Sequence, residues 1–260
     1  LHNWLSHNMA IGSSQWMYNS GASAYEIEQS LKFEDGRETA LSRTPSSVTN
    51  RRTWSFSCWF KISNQGSYRQ LFSSRNGDND NLGLYISNSN VLHFSNSISS
   101  TVALNLVTTQ VLRDSSAWQH LVVAVDTTQG TASNRIKIYI NGTQITNFST
   151  ETYPSQNYDT WANTTNPHYV GAFRVGSNHF DGYIGEVNFI DGTAKVPADF
   201  GETGDYGEWK PIAYSGSYGT NGFYLPFKQD YTVEGFSATT YKGNATTNYI
   251  GGVGFQPDFV

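Results

Sequence analysis

The sequence predicts an all-β protein built as an antiparallel β-sandwich, and three observations carry that prediction. Charged residues make up only 14% of the chain, aromatic residues make up 15%, and 24 of the 260 residues are glycine. Several segments alternate apolar and polar residues with a period of two. An Asn-Gly pair follows directly on one of them. β-Branched and aromatic residues suit the half-buried surface of a strand, whereas Gly and Asn suit the turns between strands. No stretch has the period of a normal helix, and a single turn near residues 197–200 comes nearest. The aromatic content supplies ample surface to bury, which argues against disorder.

The elements follow in order. Trp54, Phe56, Cys58, Phe60 and Ile62 alternate with Ser55, Ser57, Trp59 and Lys61, a strand that puts Cys58 in the core. Leu82, Leu84 and Ile86 alternate in the same way. Residues 118–127 are apolar on both faces, with Val122 and Ala124 interleaving Leu121, Val123 and Val125, so this strand belongs at the centre of a sheet. Ile136, Ile138 and Ile140 then alternate up to Asn141-Gly142. Both turn residues accept positive φ, so a two-residue hairpin is expected, with Ile138 opposite Ile145.

Residues 149–167 carry Tyr153, Pro154, Tyr158, Trp161 and Pro167 and read as a long loop, a length often reserved for function. A last pair of strands is expected at residues 169–174 and 180–190, the second ended by Asp191-Gly192. Phe223, Tyr224, Leu225 and Phe227 add one late strand. The division expected is an N-terminal arm at 1–24, a sandwich at 25–195, and a C-terminal extension at 196–260 leading towards a further module. The arm mixes Trp4, Trp16, Met17 and Tyr18 with polar residues, so its rings are expected to dock on its own domain or on a neighbouring subunit. The chain begins at Leu1, and a segment of a longer product is the expectation.

Bulk properties exclude several functions. A net charge of −5, with Arg51-Arg52 as the tightest basic group, gives no phosphate-binding face for nucleic acid. No run approaches the roughly 20 apolar residues of a membrane-spanning helix. A single cysteine, Cys58, rules out an internal disulfide.

Three segments together resemble the laminin-G/concanavalin-A-like (pentraxin-like) jelly-roll superfamily. They are Trp54-Ser55-Phe56-Ser57-Cys58-Trp59-Phe60-Lys61; Trp118-Gln119-His120-Leu121 with its continuation to Asn141-Gly142; and Phe180-Asp181-Gly182-Tyr183-Ile184-Gly185-Glu186-Val187. Further segments are similar to virion proteins of marine bacteriophages: Tyr25-Glu26-Ile27-Glu28, Phe189-Ile190-Asp191-Gly192, Asp199-Phe200-Gly201-Glu202-Thr203 and the terminal Gly254-Phe255-Gln256-Pro257-Asp258-Phe259-Val260. That resemblance implies a virion structural protein on the particle exterior, as a fibre, appendage or decoration. It implies homo-oligomers, contacts with other virion proteins and attachment to host-surface glycans. A bacterial adhesion module dependent on carbohydrate or Ca²⁺ is the alternative.

The chemistry expected is binding. Glycosidases on this fold carry Glu-x-Asp-x-x-Glu on one strand, and no such spacing exists here; Glu186 has no acidic partner at the required step. Cys58, on an apolar face, reads as a small hydrophobe, and His120 as a packed, hydrogen-bonded residue. Asn76, Asp78 and Asp80 cluster oxygens on one turn and are the candidate Ca²⁺ ligands, although Asn81 and Ser87 break the EF-hand pattern. The other reading of this turn is a solvated Asn/Asp turn. Tyr153, Tyr158, Trp161 and His168 are the candidate sugar platform, with a small core under the loop as the other reading.

Overall fold

The computed structural model describes residues 25–77, 79–174 and 178–228. The expectations for the arm, for Asp78 and for the terminal junction lie outside the described residues.

In chain order the strands are β1 (Leu31–Phe33), β2 (Leu41–Arg43), β3 (Thr53–Ile62), β4 (Arg69–Arg75), β5 (Asn81–Ile86) and β6 (Val91–Ile98). There follow β7 (Thr101–Val111), β8 (Gln119–Asp126), β9 (Ile136–Ile140), β10 (Thr143–Gln144) and β11 (Phe148–Thr152). The last are β12 (His168–Val170), β13 (Gly182–Asp191), β14 (Gly201–Thr203), β15 (Trp209–Pro211) and β16 (Phe223–Leu225). The first sheet runs β1-β13-β3-β8-β9-β10, with β16 also on β13, and the second runs β11-β7-β6-β5-β4-β12-β2. All pairings are antiparallel.

The core lies between these sheets. From β3 it takes Trp54, Phe56, Cys58, Phe60 and Ile62, and from β5 Leu82, Leu84 and Ile86, all fully or nearly fully buried. Rings interlock across the gap: Phe56 stacks on Phe72 at 4.8 Å, and Trp54 meets Phe94 edge-on at 6.1 Å. Each such side chain contributes roughly 1.5–3 kcal/mol. The predicted hairpin forms, with Asn141 and Gly142 at φ 48° and 78°. Ile145 N–H donates to Ile138 C=O at 2.8 Å, the expected pairing.

Several elements differ from expectation. Residues 148–152 form the edge strand β11 on β7 and shorten the loop from its start. The expected last pair of strands separates: β12 joins β4 in the second sheet, and β13 joins β3 in the first. Strand β4 has no period-two signature because a bulge between Gln70 and Phe72 lets neighbouring Leu71 and Phe72 both be buried. The outer face of β3 is covered too, with Ser55, Ser57 and Trp59 buried. Its cover is the C-terminal extension. Phe200, Tyr214 and Tyr218 pack on Val122, Ala124, Tyr139 and Ile190 as a second apolar layer. The turn expected near residues 197–200 is a 3₁₀ helix, Pro197–Asp199.

Candidate functional site

The outer face of the second sheet presents a set of polar and aromatic side chains in register. Strand alternation puts them there. Tyr85 stands between fully buried Leu84 and Ile86, and His93 between buried Leu92 and Phe94. Registry aligns Gln70, Tyr85, His93 and Val107 in one row across β4, β5, β6 and β7. The next row is Ser73, Gly83, Ser95 and Asn105.

The Tyr85 and His93 rings stack 4.8 Å apart with planes 21° from parallel, and Tyr68 lies 6.0 Å from Tyr85. Gly83 leaves a depression beside them. A Cβ there would meet only Gln70 Nε2 at 3.4 Å, Tyr85 Cδ1 at 3.6 Å and Ser95 Oγ at 3.8 Å. Among the described residues, the side-chain polar groups of Tyr85, His93, Ser95 and Asn105 make no hydrogen bond to the protein. Partial burial lowers the imidazole of His93 and raises the phenol of Tyr85, so both are neutral at neutral pH. A groove of ≈ 520 Å³ runs beside this row, between Tyr68, His93, Val107 and the turn at Ser87, Asn88 and Ser89. Flat rings beside unpaired hydroxyls and amides can stack on apolar ring faces and bond the polar groups of a ligand.

The predicted platform is arranged differently. Loop residues 153–167 are stapled across one end of the sandwich by bonds to both sheets. Thr160 accepts from Trp54 Nε1 at 2.9 Å, and Ser74 donates to Trp161 C=O at 2.9 Å. Tyr153 and Trp161 pack against the core, and Arg51 lies 5.5 Å from the centre of the Trp161 ring. Asn96 brings Tyr158 and Trp161 together, its amide donating to the Tyr158 hydroxyl at 3.4 Å and accepting from the backbone N–H of Trp161 at 2.8 Å. His168 is buried in β12, with Nε2 accepting from Asn163 N–H at 3.0 Å and Nδ1–H donating to Asn166 C=O at 2.8 Å. Burial pushes this imidazole down to about 4. No ring–ring contact joins the four.

At the Asn/Asp turn, Asp80 accepts from Ser99 N–H at 2.6 Å and its carbonyl from Asn76 N–H at 2.9 Å. Among the described residues no three His, Cys, Asp or Glu side chains converge as a metal site, and Asp78 of the expected calcium set lies outside those residues. Glu186 sits at a β-bulge with φ 51°, bonded by Tyr25 and by Tyr224 at 3.0 Å. Burial pushes its carboxyl up.

The row on the second sheet was missed because Tyr85 and His93 are isolated positions in apolar strands. The usable signal was their place on the solvent side of the alternation.

Residues 35–199 match the family model described as the concanavalin A-like lectin/glucanases superfamily. None of the curated proteins matches. Among solved structures, the chain is similar to a heptameric SAP-like pentraxin from Limulus polyphemus, at 12% identity over 66% of this chain and 80% of that one, with a TM-score of 0.47. It is also similar to domain 4 of the extracellular arabinanase AbnA from Geobacillus stearothermophilus, at 16% identity over 65% and 80%, with a TM-score of 0.43. Tailspike protein 2 of an Escherichia coli O157:H7 bacteriophage aligns at 11% identity over 66% of this chain and 23% of that one, with a TM-score of 0.47. With the family model spanning most of the described sandwich, this chain belongs to the concanavalin A-like lectin/glucanases superfamily.

Proposed function

We propose that the chain is a non-catalytic glycan-binding domain on the exterior of a bacteriophage particle, contributing to host attachment and to contacts with other virion proteins. The observation that carries the glycan half is the outward row Tyr85-His93 with unpaired Ser95 and Asn105 around Gly83. Ring faces meet sugar C–H groups, and the amide, hydroxyl and imidazole meet sugar hydroxyls. The virion half is supported by the resemblance of the quoted segments to marine phage virion proteins. A particle exterior is symmetric, so the domain is expected in repeated copies.

Binding is favoured over catalysis because Glu186 lacks the carboxylate spacing that glycoside hydrolysis needs. Its oxygens are instead taken by Tyr25 and Tyr224. The loop residues Tyr153, Tyr158 and Trp161 form a second proposed contact at the end of the sandwich. Calcium at Asn76, Asp78 and Asp80 is a separate proposal. A rise in thermal midpoint with added Ca²⁺, reversed by EDTA, supports it, and an unchanged midpoint removes it.

The test uses the full chain, fluorescently labelled, on intact host cells with and without periodate oxidation of surface glycans. Binding lost on oxidation is the expected result, and binding that survives it overturns the glycan half. Mass spectrometry and immunogold labelling of purified particles test the virion half, which fails if the chain is missing from the particle.

A further inference from the structure

The groove beside Tyr85 and His93 has a specific electrostatic character. None of the residues lining it is Lys, Arg, Asp or Glu. Its polar groups are all uncharged: the phenol of Tyr68, the hydroxyls of Ser87, Ser89, Thr108, Thr109 and Ser149, the exposed amide of Asn88, and the imidazole of His93. Arg75 lies on the same face, two positions beyond Ser73, and its guanidinium sits 4.6 Å from the centre of the Phe173 ring. The whole chain carries a net charge of −5, which repels anions at long range.

A carboxylate, sulfate or phosphate entering such a groove would lose hydration, and no charge-assisted bond would replace it. A neutral hydroxyl loses far less and regains a bond of equal kind. The groove volume of ≈ 520 Å³ suits a short oligosaccharide and falls inside the roughly 300–1,000 Å³ range of small-molecule sites.

We propose that this groove, together with Tyr85 and Gly83 in the rows that adjoin its lining residue His93, selects neutral glycans, with sugars free of carboxylate, sulfate and phosphate, packed against His93 and Tyr85. The inference rests on the glycan-binding reading and adds the chemical class of the ligand.

The test is a glycan array probed with the full chain, followed by titration calorimetry of the best ligands at low and high salt. Neutral oligosaccharides are expected to bind with affinity insensitive to salt, because no ion pair is made. Tyr85→Ala and Gly83→Val are expected to weaken that binding about tenfold or more. Gly83 has ordinary φ and a Cβ there makes only van der Waals contacts, all with side chains, so Gly83→Val fills the depression; circular dichroism confirms the fold of each variant. Preference for sialylated, sulfated or uronate glycans, falling with salt, overturns the neutral class and leaves the glycan reading standing. Neutral binding unchanged in both variants overturns this site. No binding to any glycan by the folded chain overturns both readings together.

Discussion

Trp209 donates its indole N–H to Nδ1 of His120 at 2.9 Å, joining residues 89 positions apart in sequence. The bond decides the tautomer. With Nδ1 accepting, the proton sits on Nε2 and is donated to Ser57 Oγ at 2.8 Å. The imidazole is stacked between Trp59 at 4.9 Å and Trp209 at 6.0 Å, so the C-terminal extension is locked to β8 through one side chain.

Burial pushes this imidazole down to about 3, so it stays neutral in the native protein while the unfolded chain takes up a proton near the usual value for histidine. A histidine lowered in the folded state contributes stability that is whole above about pH 6.5 and is lost progressively towards pH 3. Imidazole ¹⁵N resonances should show neutral His120, protonated on Nε2, at pH 5. An imidazolium signal at that pH in the folded protein would contradict the geometry.

Gly142 connects the same region to the hairpin. Its φ is 78°, and a Cβ there would lie 2.6 Å from the Trp209 ring. Gly142→Ala therefore combines backbone strain with a clash against a ring held in place by its bond to His120. A loss of about 2 kcal/mol is expected, read as a lowered urea midpoint with unchanged slope. Trp209→Ala should make the alanine at position 142 better tolerated, since the clash is removed, and simple additivity of the two changes would argue against direct contact.

Cys58 faces the core and is fully buried, and burial pushes its thiol well above its usual value. The thiolate is the reactive form, so an aromatic disulfide reagent should leave the native protein unmodified and label one thiol per chain after unfolding. Rapid labelling of the folded protein would place this strand in the wrong register.

Glu186 has the opposite linkage. Its carboxyl is pushed up by burial, while the bonds from Tyr25 and Tyr224 pull it back in part. A carboxyl raised in the folded state contributes stability that is present below its ordinary value and lost as pH rises through the raised one. Replacing it with Gln removes that dependence. Between pH 4 and pH 8 the thermal midpoint of Glu186→Gln should rise relative to the parent's as pH increases, and a constant difference between the two would show that this carboxyl is not raised by burial.

The local pattern by itself determined the all-β class, the inward face of β3, the central place of β8 and the Asn141-Gly142 turn. These depend on side-chain period and backbone conformation, which neighbouring residues set. The packing of His120 and the burial of Cys58 were legible for the same reason. Where Ser55, Ser57 and Trp59 go was not, because their outer face is buried by residues 193–218 folding back across the first sheet. The binding row was equally hidden. Gln70, Tyr85, His93 and Val107 are scattered over 38 positions of sequence and become neighbours only through the registry of four strands. His168 shows the converse: a residue expected in a sugar platform beside the long loop is buried beside Phe72 and Phe189 once β12 is inserted next to β4. Tertiary structure decided these positions because strand pairing and face coverage depend on contacts between distant segments, and period two says only that a side chain has two faces to choose from.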